Sequence, residues 1–77
     1  MEIRILTFGQ ITVITGSETL VWKDVRDTDS LQQQLNEQYP ALQHTKYMLA
    51  VNKQVISGNT ILEDKTTVAL LPPFSGG

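Results

Sequence analysis

One helix-forming segment, set among segments that favour strands, most limits what this chain can fold into. Leu31 and Leu35 are four residues apart and share one helical face, while the positions between them are glutamines. Thr28 or Asp29 can cap its start, since Asp29 has a glutamine three residues later. Pro40 disfavours helical geometry in the residue before it and ends the segment. One helix covers one face of a sheet, so the sequence predicts a single main helix on a single sheet.

The other segments predict strands. They are residues 2–8, 18–23, 46–52, 53–57 and 66–71. Residues 11–15 are rich in β-branched side chains and read locally as strand, although Gly16-Ser17 could equally close a short helix there. The order is βαβαβββ if this segment is helical and ββαβββ otherwise. Both predict an α+β fold of the β-grasp type, a mixed sheet of four to five strands with the first and last strands parallel at its centre.

The helix leaves one face of the predicted sheet open, and that face carries apolar side chains. Period-two alternation places Leu6, Phe8, Ala69 and Leu71 there. Scattered exposed apolar residues are ordinary on proteins. A contiguous apolar patch on a water-facing sheet instead indicates a partner surface. Because this patch adjoins the last residues of the sequence, and Phe74 would extend it, we predict an interface.

Size and charge exclude several function classes. Seventy-seven residues make one domain, 1–77, and a chain this small buries only about 60% of its unfolded surface. A catalytic cleft hardly fits, which favours a carrier, inhibitor or adaptor that is not catalytic alone. The net charge of −2 and pI near 5.1 give no electrostatic signal for nucleic acid or anionic membranes. No metal site is predicted, because His44 is the one histidine and has no ligand set around it.

The cysteine count and the first residues bear on location. The chain has no cysteine, which is typical of small domains in a reducing compartment. Met1 leads directly into a strand, without the charged leader and apolar stretch of a signal peptide. No segment approaches the roughly 18 apolar residues of a membrane span. The sequence therefore predicts a cytoplasmic protein that contacts no membrane.

The residues after the last strand favour presentation of the chain end. Pro72 and Pro73 cannot donate to a sheet ladder and favour extended geometry. Gly76 and Gly77 have no Cβ, so the tip is thin enough for a narrow channel. Chain ends are usually frayed, but a strand, a stiff pair and two glycines in this order predict an extended flexible tail, 72–77. Its reactive group would be the Gly77 carboxylate.

Several motifs point to one family. They are Phe8-Gly9-Gln10 at the end of the first strand, Gly16, Ala50-Val51-Asn52, the turn at Asp64, and the run Val68 to Gly77. Together they resemble the small subunit of molybdopterin synthase, the ubiquitin-like sulfur carrier family often called MoaD. The resemblance spans essentially the whole chain and is most specific in the last ten residues. Two departures are the family's Asp-Gly-Asp turn, here Asp64-Lys65-Thr66, and the β-branched residues 11–15.

The resemblance implies a function for the tail. An E1-like adenylating enzyme would use ATP to convert the Gly77 carboxylate, next to Gly76, into an acyl-adenylate. Sulfur from a persulfide donor would displace AMP and leave a thiocarboxylate. The tail would then deliver sulfur to cyclic pyranopterin monophosphate in the large synthase subunit, forming the molybdopterin dithiolene. The chain itself would bind no cofactor.

The resemblance also implies partners, alternatives and contact residues. The expected assembly is a heterotetramer of two small and two large subunits. The alternatives are a sulfur carrier for thiamine or tRNA thiolation, a ubiquitin-like protein modifier conjugated through Gly77, or a binding module with an inert tail. The diproline favours the molybdopterin branch. Residues expected at the partner interface are Phe8, Leu71, Phe74, Val55, Pro73 and Ser75.

Overall fold

The computed structural model describes residues 1–73. In it, five strands form one sheet, accompanied by two α-helices and one short 3-10 helix. The elements are β1 (Glu2–Thr7), α1 (Gln10–Thr15), β2 (Thr19–Lys23), α2 (Thr28–Gln38), a 3-10 helix (Pro40–His44), β3 (Met48–Val51), β4 (Gln54–Val55) and β5 (Thr67–Leu71). The sheet order is β2-β1-β5-β3-β4. β1 and β5 are parallel and central, while the other pairs are antiparallel. The predicted ubiquitin-like β-grasp fold is confirmed.

Residues 10–15 are helical, which decides between the two element orders. Gly9 precedes α1 with φ 59° and ψ −132°, a conformation suited to glycine. Gly16 follows in the left-handed region at φ 79°, and its N–H donates to the Thr12 carbonyl. Ile11 enters the core with 1% exposure. Glycines at both ends and one buried side chain therefore outweigh the strand preference of the β-branched residues between them.

The cap of α2 differs from the prediction. Asp27, rather than Thr28 or Asp29, is the N-cap, and its carboxylate accepts from the Ser30 N–H at 2.8 Å. The Thr28 N–H donates to the Thr60 carbonyl at 2.9 Å, and the Asp29 N–H donates to Asn59 Oδ1 at 2.9 Å. Residues 59–60 thus satisfy two of the helix's first amides. This prediction was wrong because the Asp27 carboxylate accepts from Ser30, while the Thr28 and Asp29 N–H groups are bound by residues 59–60.

The core lies between the sheet and the two helices. Its buried apolar residues are Ile3, Ile5, Ile11, Val25, Leu31, Leu35, Leu42, Leu49, Leu62, Val68 and Leu70. The alternation predicted for β1 and β5 is confirmed, since Ile3, Ile5, Val68 and Leu70 are all at most 1% exposed. Tyr39 and Trp22 pack at its margin, and the Trp22 indole N–H donates to Gln34 Oε1 at 2.7 Å.

Among the described residues, left-handed backbone at residues other than glycine occurs at Asp24 and in two turns that bear on the sheet. Asn52 and Lys53, at φ 49° and 71°, form the hairpin turn between β3 and β4, so the predicted strand 53–57 shrinks to Gln54–Val55. Lys65, at φ 65°, stands where the resembling family has glycine. Its N–H donates to the Glu2 carbonyl at 2.6 Å, and Asp64 Oδ1 accepts from the Glu2 N–H at 2.8 Å. The turn therefore joins the start of β1 to the approach of β5.

Candidate functional site: the open sheet face and the tail root

The face of the sheet opposite the helices carries a row of apolar side chains across four strands. Leu6 pairs in register with Ala69, Ala69 with Ala50, and Ala50 with Val55. Val55 lies on the edge strand and is 54% exposed. The predicted apolar patch is therefore present on this face, here called the open face. The small side chains of Ala50 and Ala69 make its centre a shallow depression lined in part by Leu6.

A second apolar row lies at the end of the open face nearest the tail. Leu71 pairs with Met48 across β5 and β3. Thr7 and Leu70 are the last parallel pair of β1 and β5, and they are followed by Phe8, just beyond β1, and Leu71, the last residue of β5. Phe8 is 44% exposed and Leu71 is half-buried. The apolar surface therefore continues to the point where the chain leaves the sheet.

The residues that begin the tail rest beside two loops. A Cβ built on Gly9 would lie 3.9 Å from Pro72 Cγ, so the turn into α1 passes next to the diproline. Pro73 lines a shallow groove with residues of the 45–48 segment and of α2, including Tyr47 and Met48. Both prolines are exposed and lie outside any strand. The start of the tail, here called the tail root (Pro72 and Pro73), therefore meets the Phe8 end of the open face at Pro72, whereas Pro73 lies in a groove beside α2.

A hydroxyl network fixes the backbone that presents Phe8. The buried Thr7 hydroxyl donates to the Ser17 carbonyl at 2.6 Å and lies 2.9 Å from the Thr12 hydroxyl. The Ile11 N–H donates to the Phe8 carbonyl at 3.2 Å as α1 begins. Because buried polar groups left without partners are costly, this network strongly favours one geometry for the β1–α1 turn.

Two titratable groups of the described residues, Tyr47 and Asp27, have shifted pKa values. Burial raises the pKa of Tyr47, partly offset by a hydrogen bond with Gln32, so its phenol stays protonated at neutral pH. The hydrogen bond from Ser30 lowers the pKa of the Asp27 carboxylate at the start of α2. Among residues 1–73, no three His, Asp or Glu side chains are grouped to hold a metal ion.

The predicted site residues fall into two groups. Phe8, Leu71 and Val55 lie on or beside the open face, and Pro73 lies in the groove beside α2 and the 45–48 segment. Phe74, Ser75, Gly76 and Gly77 lie outside the described residues. The site prediction missed Met48, Ala50 and Lys53, which line the same surface. Alternation through residues 48–52 would have found Met48 and Ala50.

Within the described part of the chain, no helix has the length and apolar character that a membrane crossing requires.

The chain matches a known protein family. The ThiS family matches residues 5–77, nearly the whole chain. The chain belongs to the ThiS family.

Curated relatives of this ThiS-family chain share one description. The "Molybdopterin synthase sulfur carrier subunit" of Caenorhabditis briggsae is 32% identical over 83 aligned positions, covering 100% of this chain and 99% of the relative. The protein of the same name from Escherichia coli (strain K12) is 32% identical over 80 positions, covering 97% and 99%. The resemblance to small subunits of molybdopterin synthase is therefore confirmed.

Solved structures of similar shape agree with the fold of this ThiS-family chain. The complex of subunits 1 and 2 of the molybdopterin-converting factor from Helicobacter pylori contains a chain with TM-score 0.75 and 28% identity, with 100% of both chains covered. A molybdopterin converting factor subunit 1 from Pyrococcus furiosus reaches TM-score 0.85 at 15% identity, covering 96% of this chain and 99% of that one. The small archaeal modifier protein SAMP1 of Haloferax volcanii reaches 0.76 at 21% identity, with both chains fully covered. The last two show the fold alone.

Proposed function

We propose that this chain is the sulfur carrier subunit of a molybdopterin synthase. The proposal rests on one observation, that the apolar open face continues to Pro72, where the tail begins. A carrier needs this arrangement because it must bind its partner and present its C-terminus to that partner at the same time. Full-length similarity to curated sulfur carriers supports this chemistry over other uses of the same fold.

The proposed chemistry takes place at the last residue of the sequence. The Gly77 carboxylate attacks the α-phosphorus of ATP in an adenylating enzyme, and pyrophosphate leaves. The terminal sulfur of a persulfide donor then attacks the acyl-adenylate and displaces AMP. A thiol cleaves the resulting acyl disulfide and leaves a thiocarboxylate on Gly77. A chain without cysteine can carry sulfur in this way because no side-chain thiol is needed.

The open face would dock on the large subunit. Its contacts would include Phe8, Leu71 and Val55, with Pro73, Phe74 and Ser75 directing Gly76 and Gly77 into the partner's active site. Ordering a tail costs about 1–2 kcal/mol per residue in backbone entropy. The fixed φ of the two prolines lowers this cost, and burial of the apolar face offsets it. The H. pylori complex of subunits 1 and 2 supports a large-subunit partner.

The remaining parts of the proposal concern assembly and surroundings. The functional particle would contain two small and two large subunits, and an E1-like enzyme would adenylate the tail. The chain would bind no cofactor itself, since ATP is consumed on the adenylating enzyme. A chain without cysteine fits the reducing cytoplasm, where we place this step.

Reconstitution tests the function. Sulfur-loaded chain is mixed with the large subunit from the same organism and cyclic pyranopterin monophosphate, and molybdopterin is measured. We expect product from the full chain and none from a chain lacking Gly77, with identical thermal unfolding. Product from the shortened chain would show that the Gly77 carbonyl is not the sulfur carrier. No product from the full chain, despite loading, would favour a different sulfur acceptor pathway.

A further inference from the structure

The centre of the open face combines an apolar floor with a cationic rim. Leu6, Ala50 and Ala69, on neighbouring strands, form the floor of the depression described above. Lys53, in the hairpin turn between β3 and β4, lines the same depression. Arg4 lies two residues before Leu6 on β1, so its exposed side chain projects from the same face. Two cations thus flank one apolar hollow.

Neither cation forms a salt bridge within residues 1–73. The salt bridge found among those residues joins the Met1 amino group to Asp24 at 4.0 Å. In the same part of the chain, the side chains of Arg4 and Lys53 form no hydrogen bonds. An exposed cation beside apolar surface keeps its field available to an incoming molecule.

The acidic residues of the chain lie mostly elsewhere, although the net charge is −2. Asp27 and Asp29 stand at the start of α2, and Glu37 lies within it. Among the described strand residues of the open face, Glu2 is the acid; it lies two residues before Arg4 and pairs in register with Lys23. Glu18, just before β2, lines a separate hollow with Leu6 and Phe8. The residues that line the central depression therefore include the cation Lys53 and no acid, on a protein whose net charge is negative.

From this arrangement we propose that the partner covering the open face places carboxylate side chains between Arg4 and Lys53, next to an apolar group over Ala50 and Ala69. The occupant is an acidic protein surface, which under the proposed function belongs to the large subunit. Apolar contact at the tail end supplies affinity, while the charges set the orientation and the association rate. The inference rests on the proposed function for the partner's identity alone.

The test measures association of the chain with the large subunit from its own organism by stopped flow. Arg4→Gln removes one charge, and Lys53→Asn removes the other while suiting the left-handed backbone there. At about 50 mM salt we expect the double variant to associate about tenfold more slowly than wild type, with the dissociation rate changed less than about twofold. At about 500 mM salt the difference should disappear through screening.

Matched variants separate charge from structure. Arg26→Gln, in the loop between β2 and α2, removes a cation away from the open face and should leave the rate unchanged. Arg4→Lys keeps the charge and should retain the wild-type rate. Association of the double variant at the wild-type rate in low salt, or an equal loss at both salts, would overturn the inference. Wild-type chain that binds at neither salt would overturn the proposed function and this inference together.

Discussion

Paired substitutions on opposite faces of β1 should separate partner affinity from stability. Phe8→Ala removes an aromatic side chain at the tail end of the open face, where 44% of the residue is exposed. Ile5→Val removes one methylene from a residue that is fully buried beneath the helices. The two positions are three residues apart on one strand and its continuation, but they point to opposite sides of the sheet.

The structure predicts similar stability losses for the two variants. Full burial of a phenylalanine side chain is worth about 1.5–3 kcal/mol, and roughly half of Phe8 is covered, so Phe8→Ala should cost about 1 kcal/mol. Ile→Val in a core typically costs about 0.5–1.5 kcal/mol. Each change should therefore lower the melting temperature by about 4–8 °C in a domain of this size. Partner affinity should differ sharply, because loss of an aromatic anchor costs about 2 kcal/mol or more, about 30-fold in Kd.

Calorimetric titration against the large subunit and thermal unfolding of the free chain give the two readouts. We expect weakened binding for Phe8→Ala and wild-type binding for Ile5→Val, at matched melting temperatures. Equal losses of affinity would mean that binding follows stability, and the open face would then not be the docking surface. A melting temperature that collapses for Phe8→Ala would place that side chain in the core.

Three further predictions concern the backbone and the α2 cap. Gly9→Ala should lower the free energy of unfolding in urea by about 1–3 kcal/mol, because φ 59° with ψ −132° suits only glycine. The control, Gly58→Ala, has open space around its new Cβ and should change that free energy by less than about 0.5 kcal/mol. Equal effects of the two substitutions would refute this prediction. Lys65→Gly should raise the free energy of unfolding by about 0.5–1 kcal/mol by relieving left-handed strain, and a loss would contradict it. The Ser30 hydrogen bonds lower the folded pKa of Asp27, so its charge stabilises the fold above the unfolded value of about 3.9, and this contribution is lost as pH falls through the folded pKa. The stability advantage of wild type over Asp27→Asn should accordingly vanish in acid, and an advantage independent of pH would exclude this origin.

Local patterns in the sequence predict the parts of this fold that depend on near neighbours. The four-residue spacing of Leu31 and Leu35, about one helical turn, predicts α2, and alternation predicts both faces of β1 and β5. Both predictions rest on a periodicity within one element, and the buried residues confirm them. The open face was predictable for the same reason, since one helix cannot cover two faces.

Other parts depend on contacts that the sequence does not display. The cap at Asp27 is completed by Asn59 and Thr60, about thirty residues later. Residues 11–15 favour a strand locally, and burial of Ile11 beneath the sheet decides for a helix. Lys53 joins the open face only because two successive residues adopt left-handed backbone. Packing overrides the strand propensity of residues 11–15, while contacts distant in sequence complete the cap at Asp27.

The central claim is that sulfur resides on the carbonyl of Gly77. Fragment-resolved mass spectrometry of the intact chain, after incubation with ATP, the adenylating enzyme and a persulfide donor, tests it most directly. We predict replacement of one oxygen by one sulfur, located in the fragment that contains Gly77. An unchanged mass, sulfur located elsewhere in the chain, or a chain joined through Gly77 to a lysine would contradict it.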